Sequence, residues 1–325
     1  LRLPDAAPDD YLKQLFELIS KLPFGESPPF CYRLRKARRW RAPAWECVQE
    51  VDASYHLRRE SLPAPGGVSE LTSLVARLHS QPLEISHPLW TCHLIGGLAD
   101  RRFAIYLKMH HALADGGTVV KMISALLSES SEPFSLDKAL ARRYATAQPA
   151  PRGTSPAIAR LQVLGLVGKA ITAAINSNWR QSDPEVASAY RGPPSIFARP
   201  IGPGRAYAIQ SLSLSRLRAL GKETNSTIND LILAICAGAL RRYLLRQGLL
   251  PDRALVTSVP VALEREEHAL EGNQVSGVLI ALPTHLEDVR ARLAFTKSTM
   301  RKAKEQVLAM PKQAIQLYAN LQMLP

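Results

Sequence analysis

Residues 103–126 read FAIYLKMHHALADGGTVVKMISAL, and the change of period inside this stretch decides the fold. Phe103, Ile105, Leu107 and Met109 alternate along the chain, as on a half-buried strand. From Val119 the apolar positions Val119, Val120, Met122, Ile123 and Leu126 fall at helical spacing. The order is strand, loop, helix, with His110 to Gly117 as the loop. Upstream, Trp90 to Ile95 supplies a partner strand, and Gly96 with Gly97 marks the expected turn between the two.

Working outward, Asp9 and Asp10 precede Leu12, Leu15, Phe16, Ile19 and Leu22, and Pro23 ends an amphipathic helix. A second helix is expected over Ser69 to His79, and the basic run Arg33 to Arg41 around Trp40 reads as a surface strand. Beyond the loop, two Pro/Gly-rich stretches, Gln148 to Pro156 and Gly192 to Gly204, flank an apolar segment. The chain therefore divides into a lobe over 1–135, a crossover over 136–204 and a second lobe over 205–325. In that second lobe, alternation returns at Tyr207 to Leu214, and Thr227 with Asp230 opens an apolar helix expected to be nearly fully buried. Leu255 to Val261 and Val275 to Leu282 read as strands, and Thr284 with Glu287 as the capping box of a last, Lys/Arg-rich helix.

With 325 residues, 46% of them hydrophobic, the chain can bury a substantial core, which excludes a disordered or fibrous class. The longest apolar stretch, around Leu231 to Leu240, is well short of the roughly 18 residues of a spanning helix, and no signal segment opens the chain. A cytoplasmic protein is expected. It begins at Leu1 and ends just after Leu317, Leu321 and Leu324 at helical spacing, as a part of a longer polypeptide would. Cys31, Cys47, Cys92 and Cys236 are scattered without metal or redox spacing and read as reduced packing residues. A net charge of +13, from 41 Lys plus Arg against 28 Asp plus Glu, favours anionic partners: nucleic acid, a phosphorylated cofactor or a lipid surface.

The loop carries the candidate chemistry. Adjacent strand residues point to opposite faces, so His110 and His111 are poorly disposed to share a metal ion, and no metal site is expected. One working and one supporting histidine fit better. His111 is in phase with Met109 and His110 with Lys108, which by itself assigns neither as a base. An imidazole with a pKa of ~6.5 can take a proton from an alcohol near neutral pH. Asp115 either orients the loop or simply caps the following helix, and Gly116 permits a tight backbone.

HHALADG, from His110 to Gly116, matches the HHxxxDG signature of an acyltransferase superfamily that includes chloramphenicol acetyltransferase-like enzymes and peptide-synthetase condensation domains. Pro88-Leu89-Trp90 and Asn229-Asp230 resemble the PLW and ND motifs of the bacterial wax ester synthase/diacylglycerol acyltransferase family. Ser258 to Glu266 and Gly272 to Thr284 resemble it too, with Glu264 where many relatives carry arginine.

The resemblance implies an α/β fold of two chloramphenicol acetyltransferase-like lobes, a pseudo-dimer with an active-site tunnel between them. It implies that His111 is the general base, His110 supportive and Asp115 structural, and that Asn273 donates to the thioester oxyanion. Pro88, Leu89, Trp90, Gly116, Asn229 and Asp230 are expected to be structural. The expected activity is acyl transfer from fatty acyl-CoA, a co-substrate, to a long-chain alcohol or diacylglycerol, with no bound cofactor. Peripheral contact with the inner membrane face or lipid inclusions would suit both the substrates and the charge. With 6% aromatic residues and no recognised binding module, nucleic acid is not an expected partner. Two alternatives remain: a condensation-type enzyme using carrier-protein thioesters, and a non-catalytic lipid-binding remnant.

Overall fold

The computed structural model describes residues 1–35, 44–114, 116, 119–120, 183–187, 192–262 and 275–308. The chain divides into two compact units. The first gathers Leu1–Gln148, Gly202–Gln210 and Glu266–Asn273; the second gathers Pro149–Ile201, Ser211–Arg265 and Gln274–Pro325. Most of the expected crossover at 136–204 lies outside the described residues, as does most of the helix expected after Gly117.

In the first unit the apolar stripe of Leu12, Phe16 and Ile19 forms α1 (Tyr11–Ser20). Strands β1 (Tyr32–Arg35) and β2 (Ala44–Cys47) pair antiparallel, with Arg33 bonded to Glu46 at 2.7 Å. The one-turn helix α2 (Ala53–His56) runs directly into β3 (Leu57–Ser61), and α3 (Val68–Ser80) follows. Strand β4 (Trp90–Leu98) lies at the centre of a three-stranded sheet, parallel to β3 and antiparallel to β5 (Arg102–Met109). Phe30, Leu57 and Trp90 form the core beneath it, with Phe16, Ile19 and Phe24 packed against them. The Lys108 ammonium donates to the carbonyls of Leu78, His79 and Gln81, placing a cation at the electronegative end of α3.

Two expectations for this unit are corrected. Cys31 and Cys47 are disulfide-bonded rather than reduced. The β1–β2 register sets Tyr32 opposite Cys47, which brings Cys31 within 4.9 Å of it Cα to Cα; a separation of 16 residues conceals that neighbourhood until the hairpin forms. Cys92 and Cys236 are free. The β4–β5 turn does not fall at Gly96 and Gly97, which lie inside β4 beside a register shift between Ile95 and Leu98. The chain reverses instead at Asp100 and Arg101, both with positive φ. Gly97 is needed for another reason: at φ +74° a Cβ there would stand 2.8 Å from the Leu62 carbonyl oxygen. At Gly66, φ +70°, a Cβ would stand 2.0 Å from the Gly97 oxygen.

The second unit holds α4 (Leu214–Glu223), α5 (Ile228–Arg246), the antiparallel pair β6 (Leu255–Ala262) and β7 (Val275–Leu282), and α6 (Val289–Leu308). Ala237, Leu244, Val278, Ile280, Met300 and Val307 make its core. Lys302 on α6 holds Asp183 at 2.5 Å and Glu185 at 2.6 Å.

Here too the outcome differs from expectation. Residues 207–213 are exposed and carry no strand assignment. Helix α5 is only partly buried: Ala237 and Leu244 join the core made with β7 and α6, Leu231 lies by Gly221 of α4, and Ile235, Tyr243 and Leu245 are exposed. Thr284 does not cap the last helix, which starts at Val289 with Asp288 accepting the Ala291 amide. The carbonyls of Thr284, His285, Leu286 and Glu287 accept instead from the guanidinium groups of Arg241 and Arg292, which hold this segment ahead of the helix.

Candidate active site

The site is built where β5 ends. The last rung of the β4–β5 ladder sets Trp90 opposite Met109, and one residue further the His110 amide donates to the Leu89 carbonyl at 2.9 Å. The chain then turns: the Leu113 amide donates to the His110 carbonyl at 2.9 Å, and the Ala112 amide donates to His110 Nδ1 at 3.1 Å. His110 and His111 therefore lie in a turn beyond the strand, and the alternation that put His111 in phase with Met109 stops at Met109. Both imidazoles are exposed, over a buried Leu113 and Ala114. As an acceptor, His110 Nδ1 is unprotonated, so a neutral His110 carries its hydrogen on Nε2.

Beneath this turn the Pro88-Leu89-Trp90 segment is a packed anchor. Pro88 forms an isolated bridge with Arg33, Leu89 is buried, and Trp90 is 1% exposed. The Trp90 indole donates to the Phe30 carbonyl at 2.8 Å and meets the rings of Phe24 and Phe30 at 5.0 and 5.1 Å. Gly116 is exposed, and a Cβ there would meet nothing within 4 Å, so crowding does not demand glycine. Asp115 and Asn273 lie outside the described residues.

In the second unit Asn229 is exposed and Asp230 buried. Asp230 closes a capping box on α5: its carboxylate accepts the Thr227 amide at 2.9 Å, and its own amide donates to the Thr227 hydroxyl at 3.2 Å. That geometry fixes a helix start.

His56, which lies in no sequence motif, is fully buried, stacks on Trp90 at 4.3 Å and donates from Nδ1 to the Trp90 carbonyl at 2.7 Å. Nothing in its neighbourhood in sequence marks it; only the fold brings it under the motif. Burial pushes its pKa down. His93 is also pushed down by burial, against the opposing pull of its Glu60 partner at 3.2 Å, and burial lifts the Cys92 thiol to about 11. Among the described residues no cluster of three His, Cys, Asp or Glu could hold a metal, and no helix is long and apolar enough to cross a membrane.

The fold is that of known acyltransferases. The wax ester synthase/diacylglycerol acyltransferase of Marinobacter aquaeolei VT8 superposes with a TM-score of 0.69 at 29% identity, over 99% of this chain and 69% of that one. A condensation domain of the calcium-dependent antibiotic synthetase, at TM-score 0.52 and 16% identity, shares the fold alone. In sequence, residues 2–232 match the wax ester synthase/diacylglycerol acyltransferase catalytic domain and 271–324 match the WS/DGAT C-terminal domain. A putative diacylglycerol O-acyltransferase of Mycobacterium tuberculosis is 37% identical over 99% of this chain and 71% of its own length. The O-acyltransferase WSD of Acinetobacter baylyi is 29% identical over 98% of the chain and 69% of its own length. The chain belongs to the wax ester synthase/diacylglycerol acyltransferase family, and it is an acyltransferase.

Proposed function

We propose that this enzyme transfers a fatty acyl group from coenzyme A to the hydroxyl of a long-chain alcohol or a diacylglycerol, with His111 as general base and no bound cofactor. One observation carries the reading: His110 and His111 of the HHALADG motif stand exposed in a turn tied by the His110 amide to the end of the β4–β5 ladder, inside the segment that matches the family's catalytic domain. The relatives' own names, diacylglycerol O-acyltransferase and wax ester synthase, suggest the acceptor classes.

A thioester is already activated, so no covalent enzyme intermediate is required. The acceptor oxygen attacks the thioester carbonyl carbon as its proton passes to the His111 imidazole. The new C–O bond forms, the carbonyl oxygen takes up negative charge, and Asn273 donates a hydrogen bond to it. Collapse breaks the C–S bond, and the His111 imidazolium returns the proton to the departing thiolate. His110, with Nδ1 engaged by the Ala112 amide, supports the turn, and Asp115 holds the loop. The net charge of +13 favours the phosphates of coenzyme A and an anionic lipid surface, where both apolar substrates reside; peripheral association with the inner membrane face or lipid inclusions follows.

The test is release of free coenzyme A from palmitoyl-CoA in the presence of hexadecanol or a diacylglycerol. Acceptor-dependent release that vanishes in His111→Ala supports the reading. Release that survives the substitution removes His111 as base, and transfer seen only from a loaded carrier protein moves the enzyme to condensation-type chemistry.

A further inference from the structure

His56 is a wholly buried imidazole that the proposed reaction does not use, and its Nε2 has no hydrogen-bond partner. A buried polar atom without a partner is costly, so the position needs a reason. The sheet supplies one. The parallel β3–β4 ladder begins with Leu57 opposite Cys92, and α2 occupies the residues that would extend it toward Trp90. The Trp90 carbonyl lies beyond the reach of that ladder and would be a buried orphan acceptor. His56 Nδ1 fills the gap at 2.7 Å, with its ring lying on the indole at 4.3 Å and 17°.

The contact lies one residue from the motif turn. Leu89, next to Trp90, accepts the His110 amide; the His110 carbonyl accepts from Leu113, and the His110 ring accepts from Ala112. A continuous run of hydrogen bonds and one peptide unit joins His56 to both ends of the His110–Leu113 turn.

We infer that His56 is a positioning residue: by holding the Trp90 carbonyl it fixes the strand edge from which the His110–His111 turn is hung. The inference rests on the reading of His111 as the base. A carbonyl oxygen only accepts, so His56 carries its hydrogen on Nδ1, and a bare, buried Nε2 keeps the ring neutral. The downward push of burial on its pKa agrees with that state.

Two substitutions separate positioning from packing. His56→Phe keeps the stacked ring and removes the donor; His56→Asn sacrifices the ring and returns an N–H near the place of Nδ1. With palmitoyl-CoA and hexadecanol as substrates, kcat of the full chain is expected to fall about tenfold in His56→Phe, as for a displaced catalytic group, while KM holds. His56→Asn is expected to recover most of that kcat despite a lower melting temperature. Nitrogen-15 spectra of the unsubstituted protein should show His56 neutral with the hydrogen on Nδ1. Unchanged kcat in His56→Phe, equal losses in both variants, a loss confined to KM, or an Nε2–H tautomer would each overturn the inference. His111→Ala is measured alongside: activity retained there removes the base reading and this inference with it, whereas activity lost there with His56→Phe unaffected removes this inference alone.

Discussion

Strands β5 and β7 each leave an antiparallel ladder into a turn, and the two turns are held by opposite means. At the β5 exit the bonds come from backbone amides and from the His110 imidazole, over a packed Trp90. At the β7 exit they come from two guanidinium groups: Arg241 reaches the Thr284 and His285 carbonyls at 3.1 and 2.8 Å, and Arg292 those of Leu286 and Glu287 at 2.9 and 2.5 Å. The β5 exit exposes its histidines, whereas the β7 exit encloses His285 Nδ1 and the Thr284 hydroxyl without partners. Burial lowers the pKa of His285, and the charge of Arg241 lowers it further. A turn clamped by fixed cations weakens the imidazole it contains, whereas backbone amides hold the β5 exit without placing a charge beside its histidines.

The sharpest break in this comparison is functional. His111→Ala should cut ester formation by about 10²–10⁴-fold, while His285→Ala leaves it unchanged, as steady-state rates on the two variants would reveal. Next comes the anchor of the β5 exit: Trp90→Ala removes a nearly fully buried indole and should cost ~3–5 kcal/mol in denaturant unfolding. The corresponding loss at the other exit is smaller. Arg241→Met forfeits two charge-assisted bonds to carbonyls and should lower stability by about 2 kcal/mol, with activity per folded molecule retained.

Acid tests both exits together. His56, His93 and His285 have folded-state pKa values pushed below the usual histidine value, chiefly by burial. As the pH falls, the unfolded chain protonates first, so stability is full above about 6.5 and declines below it. Melts of His56→Phe across the same range should show a shallower decline. The smallest effect is expected from Thr284→Val, which removes an unpartnered buried hydroxyl and should leave stability unchanged or raise it by up to ~1 kcal/mol.

What the sequence made legible was local and periodic. Strand β5, its partner β4, β6 with β7, and the helices α1, α3 and α5 follow directly from apolar spacing. The capping box of Thr227 and Asp230 was visible because both members lie within one helical turn. Contacts that depend on register or on distant partners were not visible. The Cys31–Cys47 bond needs the β1–β2 pairing, and the start of α6 is set by arginines on α5 and on α6 itself, which no capping pattern reveals. At the site, the motif letters gave the turn and its two histidines, while His56 is brought under Trp90 only by the α2–β3 junction, 34 residues away along the chain.

The back-to-back glycines at Gly66 and Gly97 bear on how this sequence can vary. Each has positive φ, and the obstacle that any side chain would meet is a backbone oxygen: that of Gly97 for Gly66, that of Leu62 for Gly97. A neighbouring side chain can be exchanged for a smaller one, but a carbonyl cannot, so no second-site change restores the room. Drift at either position is closed, and a library randomised at both positions should return glycine at each whatever surrounds them.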